Sequence, residues 1–379
     1  MTGAPSVRCP EKGGAPLGRY VCPPMPHVLL DATKTHDLYS GLGQFGWHLG
    51  RALAQAAGPE VHLTAALRPG VDGAGLYGDV GLPVLHHRRG PWPWLGKPVG
   101  GFDLVHQFQQ LSRPRPPRGL PRLLTVHDVN PLLLKSPRKA RRYRARLQRQ
   151  VDHAAALTTI SRFTRDQLAR HLDLGGREVH VIPNGVPAPP PTSPPWPPDL
   201  PPGRAYLLCL GLVAPRKRQR ALLPLLAALP GVDLVLAGRT DAAYVAGLRQ
   251  LAAAAGATAR LHVLGPVSEA RKHALYTHCS GLVFPSAAEG FGLPAIEAMH
   301  YGKPVFLARG SSLGEVGGEL GYYFDAEEAG GVVTAVREGL ADHVRGGGAR
   351  EAALRARARS YDWPTAARAY LRLYKRLCR

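Results

Sequence analysis

Two glutamates in a glycine-rich segment carry the clearest chemical signal in this sequence. Glu289 is followed by two closely spaced glycines, and Glu297 stands eight residues after it. Glycines let the backbone approach a ligand closely, and carboxylates accept hydrogen bonds from hydroxyl groups. An apolar run precedes the segment, and Pro294 occupies a position typical of a helix start. The pattern therefore predicts a strand, a loop and a helix that bring both carboxylates to one hydroxyl-rich ligand.

The start of this predicted helix suggests a second property of the ligand. Phe291, Gly292 and Leu293 lie where the first N–H groups of a helix have no acceptor within the helix. The positive end of the helix dipole lies at the same place. Free N–H groups and a positive dipole together favour an anion, and a diphosphate fits them well.

A basic pair follows an apolar run earlier in the same half. Residues 206–210 read as a strand that ends at Gly211, and Arg216 and Lys217 follow at the predicted start of a helix. In open α/β domains such strand ends form the ligand-binding edge of the sheet. Two cations there can neutralise a diphosphate without a metal ion. Taken alone, the pair also fits an ordinary basic helix start.

The first half contributes weaker candidates. The predicted strand 27–32 leads into Ser40-Gly-Leu-Gly43, a loop in which Gly43 can approach a phosphate, although a lone pair of glycines is more often a tight turn. His127 directly follows the predicted strand 122–126, which would place it at the cleft. A histidine with a purely structural role is the alternative.

Both halves of the chain alternate strand-like and helix-like stretches. In the first half we predict strands at 27–32, 60–66, 103–106, 122–126, 156–160 and 179–183, with helices at 44–56 and 136–154. In the second half we predict strands at 205–210, 233–237, 261–264, 281–285 and 304–307, with helices at 218–228, 241–255, 268–278 and 294–301. This alternation favours parallel sheets. We therefore predict an α/β protein with two facing, doubly wound Rossmann-like domains and a cleft between them.

Composition sets the predicted boundaries. The dense proline run of 187–203 excludes a helix or a central strand and predicts a stiff linker between domains 26–186 and 204–360. Residues 1–25 are rich in Pro and Gly and are expected to form a disordered tail. Residues 361–379 are expected to form a helix that can cross back to the first domain.

The net charge of +21 favours anionic partners. Segment 135–149 alone carries eight basic residues and no acid. A helix against anionic membrane lipid or a lipid-linked acceptor is one interpretation of this segment, and a solvated helix face is the other. Nucleic acid is disfavoured, because no nucleic-acid-binding motif accompanies the segment and only Tyr143 supplies an interleaved aromatic ring.

The five cysteines are odd in number and widely spaced, which suggests neither a disulfide framework nor a zinc site. No signal peptide and no apolar stretch of about 18 residues is apparent. We expect a cytoplasmic protein without a bound metal or cofactor, with peripheral attachment to the inner face of the membrane as a further possibility.

Together these motifs resemble the retaining GT-B glycosyltransferases of family 4, the glycosyl transferases group 1. The resemblance runs from about residue 26 to the C-terminus. It is densest in Gly265–Ser268, Phe284–Ser286, Glu289–Met299, Gly302–Val305 and Ser311–Val316, with further landmarks at Thr159–Ser161, Val181–Val186 and Pro215–Lys217. The order of these motifs along the chain makes coincidence a poor explanation.

The resemblance implies roles for the motif at 289–297. Glu289 matches the first glutamate of the family's paired-glutamate motif, which holds hydroxyls of the donor sugar. Glu297 matches the second glutamate, which binds the ribose. Phe291, Gly292 and Leu293 match the backbone segment that lines the sugar and the diphosphate.

The other site residues also have counterparts. Arg216 and Lys217 match the pair that grips the diphosphate, and Gly43 matches the glycine loop that approaches it from the first domain. His127 matches a cleft histidine near the transferred sugar, and Gly211 belongs to the predicted donor-binding set. Many members carry Arg directly after this glycine, whereas this chain has Leu212, which puts more weight on Arg216.

The family retains anomeric configuration and usually holds no metal. Since no carboxylate is an obvious nucleophile, we expect a front-face mechanism in which the departing diphosphate helps to deprotonate the acceptor. GDP-mannose and UDP-hexoses are both compatible donors, and glycans or lipid-linked glycans are the expected acceptors. A phosphorylase or a sucrose-phosphate-type enzyme shares the fold, and a basic binding protein or inactive member is the non-enzymatic alternative. Release of a nucleoside diphosphate would distinguish the transferase.

Overall fold

The computed structural model describes residues 25–87, 101–111, 119–328 and 330–378. Its first half is built on a seven-stranded parallel sheet in the order β3-β2-β1-β4-β5-β6-β7. The strands are β1 (His27–Asp31), β2 (His62–Leu67), β3 (Val84–His86), β4 (Leu104–Gln107), β5 (Arg122–Val126), β6 (Ala156–Thr159) and β7 (Val179–Val181). Nearly all of the predicted tail lies outside the described residues.

Helices cover both faces of this sheet. They are α1 (Gly41–Ala57), α2 (Gly73–Tyr77), α3 (Asn130–Leu134), α4 (Pro137–Asp152) and α5 (Arg162–His171). On one face, apolar side chains of α4 and α5 pack on β5 and β6 through Leu147, Val151 and Leu168. Only the inward stripe of α4 is buried, because its other positions are mostly arginine and lysine.

The second half repeats the design with a six-stranded parallel sheet in the order β10-β9-β8-β11-β12-β13. Its strands are β8 (Tyr206–Leu210), β9 (Asp233–Ala237), β10 (Leu261–Gly265), β11 (Gly281–Phe284), β12 (Val305–Ala308) and β13 (Tyr322–Phe324). Its helices are α6 (Pro224–Ala228), α7 (Ala242–Ala254), α8 (Glu269–His278), α9 (Leu293–His300), α10 (Leu313–Gly317) and α11 (Gly331–Arg359). The predicted α/β class with two doubly wound sheets is confirmed.

The strand orders explain where a ligand site forms. Each sheet reverses its winding direction at one point, between β1 and β4 in the first sheet and between β8 and β11 in the second. Ligands of such sheets bind beside the carboxyl ends of the strands at this reversal. The loops after β8 and β11 carry the basic pair and the paired-glutamate motif, so these two motifs must meet at the edge.

The last helix, α12 (Trp363–Leu377), leaves the second half and packs along α1. Asp362 caps its start by accepting the N–H of Thr365 at 2.9 Å. Near its end, the buried Tyr374 hydroxyl lies 2.6 Å from Nδ1 of His106 on β4. The C-terminal segment is thus part of the core of the first half.

Several elements differ from the prediction. The stretch 218–228 is not one regular helix: it begins as the 3₁₀ turn Gln219–Leu222 and continues as α6, and a separate 3₁₀ turn, Pro215–Lys217, precedes it. Arg218 has a φ of 55°, and this left-handed residue breaks the helix. The prediction missed the three-residue strands β3 and β13, which are too short to show a period, and α11, in which Gly347 forms a kink.

Candidate active site at the facing sheet edges

Lys217 and Glu289 form an ion pair at the edge of the second sheet. Their side chains are only 11% and 14% exposed, and the Lys217 ammonium also lies 5.5 Å from the centre of the Phe284 ring. The pair forms because β8 and β11 are neighbours, so the loops that follow them emerge side by side. Two motifs about 70 residues apart in sequence are therefore in direct contact, as the strand order requires.

Arg216 lies beside this pair in the 3₁₀ turn Pro215–Lys217, not at the start of a regular helix as predicted. Its side chain is exposed and forms no ion pair or hydrogen bond with any residue that the structure describes. The edge therefore holds one cation that is neutralised by Glu289 and one that is available to an anion.

The loop after Glu289 ends in the predicted helix, α9. Gly292 is its N-cap residue with a φ of 118°, a conformation that favours glycine, and no side chain caps this end. Within the described part of the chain, no acceptor takes the N–H groups of Phe291, Gly292 or Leu293. The three N–H groups that the sequence singled out lie together at a helix start, where they suit an anion.

Ser312 holds this loop in place, and the sequence reasoning missed it. Its fully buried hydroxyl lies 2.8 Å from the carbonyl oxygens of both Glu289 and Phe291. A single hydroxyl proton shared between two carbonyls fixes the curvature of the loop on both sides of Gly290. Serine in a small loop motif gave no sign of this role, because the contact depends on the packing of α10 against α9.

Glu297 lies one turn into α9 and is held by two residues of α8. Its Oε1 accepts a hydrogen bond from the Lys272 ammonium at 3.0 Å, and its Oε2 accepts one from the Tyr276 hydroxyl at 2.7 Å. A carboxylate has about four acceptor directions. These two partners orient Glu297 and leave acceptor directions for ligand hydroxyls.

The first sheet contributes His127, just past the end of β5. Its Nε2 lies 2.6 Å from the carbonyl oxygen of Phe108. Because a carbonyl oxygen can only accept a hydrogen bond, Nε2 carries the proton and Nδ1 is unprotonated. Burial lowers the pKa of His127 to about 4. The imidazole is therefore neutral at physiological pH and offers a hydrogen-bond acceptor, not a positive charge.

The two sheet edges meet at Gly290. A Cβ atom added to this glycine would stand only 2.1 Å from the carbonyl oxygen of His127 and 3.0 Å from the Cβ atom of Asp128. Only glycine permits this approach of the two halves. Asp128 is thereby added to the residues at the cleft, although the sequence analysis did not single it out.

Two further contacts join the halves. The Glu315 carboxylate of α10 accepts the N–H of Arg162 at 2.9 Å and that of Phe163, and so caps α5 from the other half. On the opposite side of the cleft, Arg239 pairs with Asp37 at 2.7 Å. These contacts fix the two edges facing each other.

Gly43 belongs to a helix and not to the loop that the sequence predicted, and its phosphate contact stays a prediction. It lies inside the first turn of α1, where its N–H donates to the capping hydroxyl of Ser40 at 3.1 Å. An added Cβ would stand 2.0 Å from the carbonyl oxygen of Asp37, so a tight turn accounts for this glycine. Gly211, by contrast, ends β8 with a φ of 138°, which favours glycine there.

Comparisons with known proteins agree with this geometry. Residues 195–360 match the family profile described as glycosyl transferases group 1, and residues 39–188 match the one described as glycosyltransferase family 4. Together the two stretches cover most of the chain. They include both sheet edges and every candidate residue named above.

Individual relatives are more distant. The O-antigen chain mannosyltransferase B of Escherichia coli is 26% identical over 239 residues, which are 58% of this chain and 61% of that protein. Sucrose-phosphate synthase from Thermosynechococcus elongatus has a TM-score of 0.73 at 19% identity, with 93% of this chain and 99% of that one covered. Anabaena HepE, solved with UDP and glucose, has a TM-score of 0.67 at 18% identity, with 93% and 100% covered. Both structural neighbours share the two-sheet fold, and the profiles name the family: this chain belongs to glycosyltransferase family 4 and has the GT-B fold.

Proposed function

We propose that this enzyme moves a hexose from a nucleoside-diphosphate sugar to a glycan or lipid-linked acceptor with retention of anomeric configuration. The observation that carries the proposal is the grouping of an available cation, an ion-paired carboxylate and three free N–H groups at one edge. A diphosphate needs cations and N–H donors, and a sugar needs carboxylate acceptors. The edge of the second sheet supplies both within one cleft.

The proposed roles follow from what each group offers. Arg216, Lys217 and the start of α9 would hold the diphosphate. Glu289, oriented by Lys217 and Ser312, would accept hydrogen bonds from sugar hydroxyls, and Glu297 would accept those of the ribose. The unprotonated Nδ1 of His127 would accept a hydrogen bond from a sugar hydroxyl.

The reaction would depend on charge that develops during bond cleavage. As the bond between the sugar and the diphosphate breaks, negative charge builds on the diphosphate, and cations fixed beside it stabilise the transition state more than the ground state. The acceptor hydroxyl would enter from the face that the diphosphate leaves. This front-face route accounts for retention without a covalent intermediate on the protein.

Two nucleotides are the leading donor candidates. The Escherichia coli relative is a mannosyltransferase by name, and HepE was solved with UDP and glucose. GDP-mannose and UDP-hexoses are therefore the donors to test first. None of the contacts described for the cleft distinguishes a guanine base from a uracil base.

The acceptor side favours contact with an anionic membrane. Leu133 and Leu134 on α3 are 40% and 41% exposed, and they directly precede the basic face of α4. The Tyr143 hydroxyl on the partly buried side of α4 lies 3.4 Å from the carbonyl oxygen of Asp128, so the helix itself lies near the cleft. No helix in the described part of the chain is long and apolar enough to cross a bilayer. Apolar side chains beside a basic face suit peripheral binding.

The test of this contact is co-sedimentation with vesicles. We expect binding to vesicles that contain phosphatidylglycerol, weaker binding to phosphatidylcholine alone, and a decrease at high salt, because screening weakens surface electrostatics. Replacing Arg141, Arg142 and Arg144 by glutamine should remove the preference. The matched control replaces Arg345, Arg368 and Arg372 in the second half and on α12. Equal recovery of the protein with neutral and anionic vesicles would favour the alternative that the basic side of α4 is simply exposed to solvent.

The test of the activity is a donor screen. Thermal shift and nucleoside-diphosphate release should be measured with GDP- and UDP-sugars in parallel. The proposal predicts that one donor both stabilises the protein and is consumed. Stabilisation without release would favour a non-catalytic family member, and neither effect with any donor would contradict the proposal.

A further inference from the structure

Asp128 is a cleft carboxylate to which the front-face mechanism gives no role. It follows His127 at the carboxyl end of β5. Its Oδ1 accepts the N–H of Asn130 at 2.9 Å, and its carbonyl oxygen accepts the Gln110 side-chain amide at 3.0 Å. The residue is therefore held on both its backbone and its side chain, which is unusual for a residue in a connecting loop.

The loop across the cleft places Asp128 next to the diphosphate-binding groups. Its Cβ atom is 3.0 Å from where a Cβ on Gly290 would stand. Glu289, next to that glycine, is ion-paired with Lys217, and Arg216 precedes Lys217 in the same turn. The charges of Glu289, Arg216 and Lys217 all act on the Asp128 carboxyl, which places it beside these three groups.

Front-face transfer requires a proton acceptor at this place. An acceptor hydroxyl that attacks from the leaving-group face must lose its proton beside the diphosphate. Glu289 is engaged by Lys217, and Nδ1 of His127 has the proposed role of accepting a hydrogen bond from a sugar hydroxyl. Asp128 forms no ion pair with the residues that the structure describes, and its one hydrogen bond occupies Oδ1.

We propose that Asp128 is the general base that takes the proton of the acceptor hydroxyl, an inference that rests on the proposed function. In the step, the proton passes from the acceptor oxygen to the Asp128 carboxylate as that oxygen bonds to the anomeric carbon. The bond from this carbon to the diphosphate oxygen breaks, and its electron pair leaves with the diphosphate beside Arg216 and Lys217. The proton on Asp128 is then lost to solvent when the product leaves.

The electrostatics agree with this assignment. Burial raises the pKa of Asp128, and the charge of Glu289 raises it further, while Asn130, Arg216 and Lys217 act in the opposite direction. A raised pKa makes the carboxylate a better proton acceptor. Since the base must be ionised, activity should fall as the pH drops through this pKa, which is raised above the ordinary value of an aspartate.

The experiment compares Asp128→Asn with Asp128→Glu and with Asp166→Asn, an exposed control on α5. Asparagine keeps the oxygen that accepts the Asn130 N–H, so the loop should retain its shape. The probes are GDP-mannose and UDP-glucose, with octyl α-mannoside or water as acceptor. We expect Asp128→Asn to lower turnover by about 10²- to 10⁴-fold, the range for loss of a general base, and to remove the acidic limb of the pH profile. Asp128→Glu should recover part of the rate, and nucleoside-diphosphate affinity by calorimetry should change little.

Three results would overturn the assignment. If Asp128→Asn keeps turnover within about threefold of wild type and the same pH profile, the loss is far smaller than that expected for a general base. The departing diphosphate would then be the group that takes the proton. A parallel loss of nucleoside-diphosphate affinity would make Asp128 a binding or structural residue. If the wild type releases no nucleoside diphosphate from either donor, the proposed function itself is contradicted. Inactive variants of an active wild type would leave that function standing.

Discussion

The two sheet edges that face each other across the cleft differ in the charge state of their side chains. At the second sheet, Lys217 is ion-paired with Glu289 and Glu297 with Lys272, and Arg216 is the cation that has no ion-pair partner among the described residues. At the first sheet, burial keeps the groups neutral, and the pKa values of both His106 and His127 are lowered. Asp128 is a partly buried carboxylate beside these histidines.

This difference suggests a division of labour between the halves. A preformed set of charges binds a charged donor without reorganisation, which is what electrostatic stabilisation of a leaving group requires. The neutral histidines at the first edge suit an uncharged sugar hydroxyl, and burial there keeps the Asp128 carboxylate poorly solvated. If this division is correct, substitutions at the two edges should affect different kinetic constants.

The largest effect is expected at the basic pair. Replacing Arg216 or Lys217 by alanine should lower turnover by about 10²- to 10³-fold, the scale for loss of one charge-stabilising group. Arg216→Ala breaks no ion pair among the described residues, whereas Lys217→Ala leaves Glu289 without its cation. Turnover should therefore fall in both variants, and donor affinity should fall further in Lys217→Ala. Steady-state kinetics with calorimetry separates the two.

Arg220→Ala is the matched control, because Arg220 is an exposed cation of the next turn whose backbone N–H bonds Tyr244. Near-normal turnover in both Arg216→Ala and Lys217→Ala would show that the charges of this edge do not act on the leaving group.

A second prediction tests the contact between the edges. In Gly290→Ala the new methyl group would stand 2.1 Å from the carbonyl oxygen of His127, so the loop or the facing edge must move. A displacement of about 1 Å can cost about 10² in rate. We expect kcat/KM for the acceptor to fall by about that factor with a smaller loss of nucleotide affinity. Gly314→Ala is the control, since a Cβ there meets nothing within 4 Å. Equal behaviour of the two variants would show that the edges need not touch during turnover.

The smallest of these effects is expected at Glu297. If it binds ribose hydroxyls, Glu297→Ala should weaken nucleoside-diphosphate binding by about 1.5–3 kcal/mol, the scale for hydrogen bonds to a charged group. Tyr276→Phe removes one of the two groups that orient this carboxylate and should cost less. Calorimetry that finds unchanged affinity in Glu297→Ala would remove the assignment.

The sequence was informative where local pattern determines local structure. The strand, loop and helix around Glu289 and the terminal helix at 363–377 were predicted closely, because glycine, proline and apolar spacing specify them. The contact of Lys217 with Glu289 follows from the pairing of β8 with β11, a strand order that the sequence analysis did not predict. The predicted roles of these residues stay predictions.

Features that depend on tertiary packing could not be predicted. Gly43 was placed in a loop, whereas it lies in the first turn of α1 close to the carbonyl oxygen of Asp37. The roles of Ser312 and Asp128 could not be predicted, although Ser312 lies in the motif Ser311–Val316, because they depend on contacts with loops that follow other strands. The break at Arg218 was missed because a left-handed arginine violates the usual preference for glycine.

The most direct test of the account is to follow one transfer reaction by proton NMR with and without a chelator. The donor identified in the screen, an α-linked GDP- or UDP-hexose, would be incubated with the enzyme and an acceptor in excess EDTA. The account predicts that the first product formed has the α configuration of the donor and that the rate is unchanged by EDTA, because Arg216 and Lys217 supply the positive charge. A β-configured product, or activity that EDTA abolishes and a divalent metal ion restores, would contradict it.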